Sequence, residues 1–169
     1  MGREVRKVPA DWQHPKNLQG RYIPLFDGSR LVEETRAWDE GAAKWAEGLR
    51  DDFKGGWIPH DGGTYDEWSG GRPDPNDYMP PWPEEQRTHF VMYEDTSEGT
   101  PISPAFKTPE ELARWLTDNN ASAFAHQTAT YEQWLATCRR GWAPSMIGVA
   151  GHGVYSGVEA LGDIEKASK

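Results

Sequence analysis

The sequence predicts an α+β fold: a small antiparallel sheet packed with about three helices, carrying a long loop rich in aromatics and proline. Three observations predict it. Helical periodicity recurs in three separated stretches, residues 88–94 form a run of aromatic and β-branched residues, and the segment between the first helix and that run follows neither period. At 169 residues the chain fits one domain, 1–169, in which 54–86 are a long ordered loop and 157–169 a frayed helical tail. Only 36% of the residues are apolar, yet nine Trp, six Tyr and five Phe can fill a core that aliphatic residues alone would leave thin. Each buried aromatic removes about 150–250 Å² from water.

Residues 3–8 alternate weakly and stop at Pro9, which suits a short strand. From Trp12 to Asp27, Pro15, Gly20 and Pro24 forbid a helix, so this stretch is extended and laid on the core. A first helix is predicted over 29–53, because Leu31, Thr35, Trp38, Ala42, Trp45 and Leu49 share one face. Asp27 or Ser29 caps it, and Glu33 and Glu34 suit the positive end of its dipole. Its interior Gly41 and Gly48 each cost about 1 kcal/mol relative to Ala, which marks close packing or a bend. Gly55-Gly56 ends the helix.

In 54–86, Trp57, Tyr65, Trp68, Tyr78 and Trp82 stand among six prolines, with room for a short helical turn near Tyr65–Trp68. A loop of about 30 residues is rare in a compact domain unless it is functional or disordered. The aromatics favour order. Thr88–Glu94 is the best strand, followed by a turn over Ser97–Pro101. Thr108, Pro109 and Glu111 combine cap, first-turn proline and capping-box acid at the start of a second helix, which buries Leu112, Trp115 and Leu116 and ends near Asn119-Asn120. A third helix begins at Thr128 or Thr130, buries Tyr131, Trp134, Leu135 and Cys138, and stops at Gly141. Met146–Val149 and Val154-Tyr155, joined through Ala150–Gly153, read as a hairpin.

The formal charge is −9, and residues 51–85 carry nine acids against Lys54 and Arg72. Such a balance disfavours direct nucleic-acid binding, which depends on Lys and Arg displacing counterions. It permits a basic protein surface as partner. The lone Cys138 makes no internal disulfide, in keeping with a reducing compartment. No apolar run approaches the roughly 20 residues of a membrane span, and residues 1–6 carry no signal or myristoylation pattern. A soluble cytoplasmic protein without a membrane partner is expected.

Little in the sequence points to catalysis. His14, His60, His89, His126 and His152 lie far apart without ligand spacing, so neither a metal nor another cofactor is expected. No G-x-S-x-G elbow is present, and Cys138 falls on the buried face of a helix. Asp51-Asp52, or Asp74 with Asp77, could serve a small hydrolase together with His60 or His89, but solvated carboxylates usually do no chemistry. The candidate site is therefore a binding surface: Trp57, Tyr65, Trp68, Tyr78 and Trp82 as flat walls, with Arg87 as an adjacent cation. Stacking of a base on such a ring is worth ~1–3 kcal/mol. The competing reading is that the rings merely fasten the loop to the core. Trp38, Trp45, Trp115 and Trp134 have helical spacing and belong to the core.

Several segments together resemble a known family. These are Gly2–Pro9 with Trp12, His14-Pro15 and Arg21-Tyr22; Asp77–Trp82; Arg87–His89 through Met92–Glu94; Glu98–Pro104; Thr108–Leu116; and Tyr131–Leu135. In these the chain resembles an uncharacterised family of small accessory proteins of tailed bacteriophages and prophages, over nearly its whole length, least clearly in 28–63. The resemblance implies an accessory product acting in an infected bacterial cytoplasm and carries no functional residues with it. With the acidic aromatic loop, it points to a non-enzymatic binder that counters host defence by blocking a defence protein or sequestering a nucleotide signal. The partner is then a bacterial host protein or a small nucleotide ligand, with self-association left open. For a nucleotide, Arg72, Arg87, Arg114, Arg139 and Arg140 are the available cations. A structural or assembly protein of the phage particle is the alternative, with the small hydrolase third.

Overall fold

A computed structural model describes residues 2–94, 99–149 and 153–167. The elements run β1 (Arg3–Val8), α1 (Leu31–Ala46), β2 (Leu49–Asp51), β3 (Trp57–Pro59), α2 (Tyr65–Ser69), β4 (His89–Glu94), β5 (Thr100–Pro101), α3 (Pro109–Asp118), α4 (Tyr131–Arg140), β6 (Trp142–Ala143), β7 (Met146–Val149), β8 (Gly153–Ser156) and α5 (Gly157–Ala167). This is an α+β fold of antiparallel sheets and helices, five of them α-helices among the described residues. The chain divides into two compact units, one made of Met1–Leu25 with Trp82–Lys169 and the other of Phe26–Pro81.

The first unit is built on a four-stranded sheet in the order β5-β4-β1-β6. β1 is an interior strand, paired with β4 from Arg3↔Glu94 to Val8↔His89. Its weak alternation has a physical cause: Arg3 and Arg6 are buried where apolar residues would be expected. Buried guanidiniums must be fully partnered. Arg3 Nε donates to the Ser122 carbonyl at 2.8 Å and its head lies 3.6 Å from Glu94, while Arg6 donates to the Leu25 carbonyl at 2.6 Å and to Glu4 at 2.8 Å.

The core beside this sheet joins Met92, Leu112, Ala113, Leu116, Ala123, Trp134, Cys138, Ala143 and Val158. α3 starts where Thr108 and Glu111 cap each other's backbone, and α4 starts with the same device from Thr130 and Gln133. α3 packs on α4, and α4 on α5. From Gly157 the chain is helical, as expected, with Val158 fully buried. β7 and β8 pair as the expected hairpin; its turn residues 150–152, and Ser97 and Glu98 of the other expected turn, lie outside the described residues.

In the second unit α1 is shorter than its periodicity predicts. Gly48, at φ +85°, takes the chain out of the helix, and Leu49 continues the helical spacing only by coincidence, because it already lies in β2. β2 and β3 pair in a three-residue ladder from Leu49↔Pro59 to Asp51↔Trp57. The expected long loop thus contains a strand and a helix, α2, capped by Thr64 and Glu67. Gly41 permits close packing: a Cβ there would fall inside the Tyr65 phenol of α2.

Candidate functional site

The six residues singled out from sequence occupy four different environments. Tyr65 and Trp68 join a ring cluster against α1. Trp68 lies 5.5 Å from Trp45 and Tyr65 5.2 Å from Trp38, and His60 is stacked on Trp45 at 3.9 Å. The α1 tryptophans also close loops, with the Trp45 indole donating to the Gly63 carbonyl at 3.1 Å and the Trp38 indole to the Gly70 carbonyl at 2.9 Å. Tyr65 and Trp68 therefore fasten their segment. Tyr78 is buried and donates to Glu34 at 2.5 Å; burial and that neighbouring carboxylate push its phenol up to about 12. Trp82 and Arg87 belong to the first unit, where Trp82 meets Trp12 edge-on at 4.6 Å and Arg87 pairs with Glu84.

Trp57 alone of the five rings faces outward, 39% exposed, and it has a neighbour that sequence reasoning passed over. At the tip of the β2–β3 hairpin Phe53 is 80% exposed at φ +59°. A left-handed backbone is disfavoured for a residue with a bulky side chain, and such outliers concentrate at functional sites. Side chains hold the turn in place: Asp51 accepts the Phe53 N–H at 2.6 Å, and Asp52 accepts the N–H groups of Lys54 and Gly56, both at 2.8 Å. Those backbone bonds hold the Asp52 carboxyl below the usual carboxylate range. The Phe53 ring stacks at 5.7 Å on Trp68, so one face is supported and the other is open. Ile58, the next residue of β3, is 36% exposed. The signal for this tip was in the sequence: Asp51-Asp52 before Phe53-Lys54-Gly55-Gly56 is a turn built by short acidic side chains around an aromatic.

The first unit holds a second arrangement, a cleft of about 560 Å³ lined by residues of the 10–22 segment, β4, the 101–105 connection and Trp115 of α3. Beside it runs a hydrogen-bonded chain. His14 Nε2 faces the Ile23 carbonyl at 2.6 Å and must carry the proton, so Nδ1 accepts from the Tyr93 hydroxyl at 3.1 Å, which in turn accepts from the Trp12 indole at 3.2 Å. Arg6 lies 4.4 Å over the Tyr93 ring. Burial, with the Arg6 charge, lowers the His14 pKa against the opposing effect of its bond to Ile23. Trp12, Gln13, His14 and Lys16 all line the cleft, which no spacing in the sequence announces. None of the six residues first singled out lines this cleft.

Cys138 and His60 are otherwise engaged. Burial and the charge of Glu110 push the Cys138 thiol up to about 12, so it is no thiolate at neutral pH. His60 accepts the Gly62 N–H at 2.9 Å on Nδ1 and donates to the Trp45 carbonyl at 3.0 Å from Nε2, which leaves no free nitrogen to act as a base. No helix among the described residues is long and apolar enough to cross a membrane. Comparison with protein-family models, with curated proteins and with solved structures yields no match for this chain.

Proposed function

We infer that this protein is a non-enzymatic binding protein that docks on a basic protein partner through the exposed tip of the Phe26–Pro81 unit. One observation carries the reading: a phenylalanine held outward at positive φ on the hairpin that also exposes Trp57, on a unit with thirteen acids and six bases. Exposed aromatic anchors ringed by one sign of charge suit a partner with an apolar pocket in a basic surround, the charge steering encounter and the rings supplying affinity. In the infected bacterial cytoplasm that the phage-family resemblance implies, that partner is a host defence protein, and docking blocks it.

The test uses the full chain as bait in lysate from infected cells, with the captured protein then purified and titrated directly. A basic partner is expected whose affinity falls with salt and drops by about 30-fold or more when Phe53 and Trp57 are both changed to Ser, in line with loss of a binding hot spot. Capture that survives this double change intact overturns the reading, and so does a partner with an acidic surface.

A further inference from the structure

We propose that the cleft between the 10–22 segment and Trp115 in the first unit is a small-molecule site for a planar aromatic anion. The site is separate from the protein-docking tip and independent of it. Its volume of about 560 Å³ lies within the roughly 300–1,000 Å³ typical of ligand pockets. Part of its lining is flat and apolar: Trp12, Tyr22 and Trp115 offer rings, and Pro101, Ile102 and Pro104 line it as well.

The charge of the lining sets the ligand class. In a chain of net charge −9, no Asp or Glu lines this cleft. Its one full cation is Lys16, whose ammonium lies 4.6 Å over the exposed Tyr22 ring and makes no ion pair among the described residues. The Trp115 ring also lines the cleft. His14 brings no negative charge and no free nitrogen, since both ring nitrogens are bonded and its pKa is lowered. What the cleft offers is therefore ring faces and a cation. These complement a planar ring that carries a phosphate or carboxylate, and they reject a cation.

A nucleoside monophosphate and an aromatic carboxylate share this chemistry, and the experiment separates them. Adenosine 5′-monophosphate, adenosine and indole-3-carboxylate are each titrated into the full chain by calorimetry, with the Trp115 indole resonance, assigned through Trp115→Phe, as the positional reporter. At least one anion is expected to shift that resonance and to bind tenfold or more tighter than neutral adenosine. Lys16→Glu should weaken the anion tenfold or more, and Tyr22→Ala should weaken all binders; both side chains are exposed, so the fold tolerates the changes. Stronger binding of the phosphate identifies a nucleotide source, and stronger binding of the carboxylate the other. Three results overturn the proposal: no shift of the Trp115 resonance at millimolar anion, equal binding of adenosine and its monophosphate with no binding of the carboxylate, or unchanged anion affinity in both Lys16→Glu and Lys16→Gln. None of these bears on the Phe53 tip.

Discussion

The two units use tryptophan in opposite ways. In the first, Trp134 is fully enclosed beside Leu112, Leu116 and Met92, and its ring contributes area removed from water on every side. In the second, only Gly28, Gly41, Tyr78 and Met79 are buried, and Trp38, Trp45 and Trp68 are half-buried rings stacked beside one another. The indoles of Trp38 and Trp45 act as loop clasps as much as hydrophobic mass. A short segment cannot enclose large side chains, because too much of its volume lies near its surface. It can cover one face of a flat ring and leave the other at the surface. The exposed rings at Phe53 and Trp57 follow from that economy of size, and so does room for acids: thirteen against six bases here, but fourteen against twelve in the first unit.

If the first unit is held by enclosure, emptying its centre should give the largest effect. Leu116→Ala removes a fully buried side chain at the α3 core face and should cost about 2–5 kcal/mol, read from urea denaturation. A loss below about 1 kcal/mol would mean that the core collapses freely around the gap, and the contrast between the units would fail. The second unit should respond less, and to crowding. Gly41→Ala puts a methyl where the Tyr65 phenol rests, so overpacking should cost about 1–3 kcal/mol and raise amide exchange in residues 64–70. Unchanged exchange there would show that α2 is not held through Tyr65.

The contrast explains what could be read from sequence. α3 and α4 were legible because local chemistry fixes their starts: Thr108 with Glu111, and Thr130, cap whichever way the rest of the chain packs. The strand at 88–94 was legible because a buried strand must be dense in Phe, Val, Met and Tyr. α1 was overextended because periodicity at Leu49 outweighed Gly48. β2, β3, β5 and β6 are two or three residues long and carry no alternation to detect. The candidate site was half legible. Trp57 does face outward, but whether Tyr65, Trp68 and Tyr78 pointed out or in depended on partners such as Gly41 and Glu34, far away in sequence. The cleft was missed because Trp12, His14 and Tyr22 acquire a common wall only when β4 and Trp115 are placed beside them.

Acid sharpens the comparison further, with a smaller effect. His14 in the first unit has a pKa lowered below its ordinary 6.5, so the folded state disfavours its protonated form. Its contribution to stability is fully present above about pH 6.5 and is lost as pH falls through the folded value. In the second unit Asp39, Asp52 and Glu67 are held below the usual carboxylate range, Asp39 by its bonds to Arg72, Asp52 by backbone N–H groups and Glu67 by Thr64. Their contributions persist above about pH 4 and fade only below it. Lowering the pH from 7 to 5 should therefore loosen the first unit before the second. Hydrogen exchange should rise around β4 and residues 10–23 while the α1 and α2 segments stay protected. His14→Gln should flatten that pH dependence between 7 and 5, because Gln keeps a donor for the Ile23 carbonyl but binds no proton. If exchange around β4 rises just as steeply with Gln in place, the Tyr93–His14 chain is not the acid-sensitive element of the first unit.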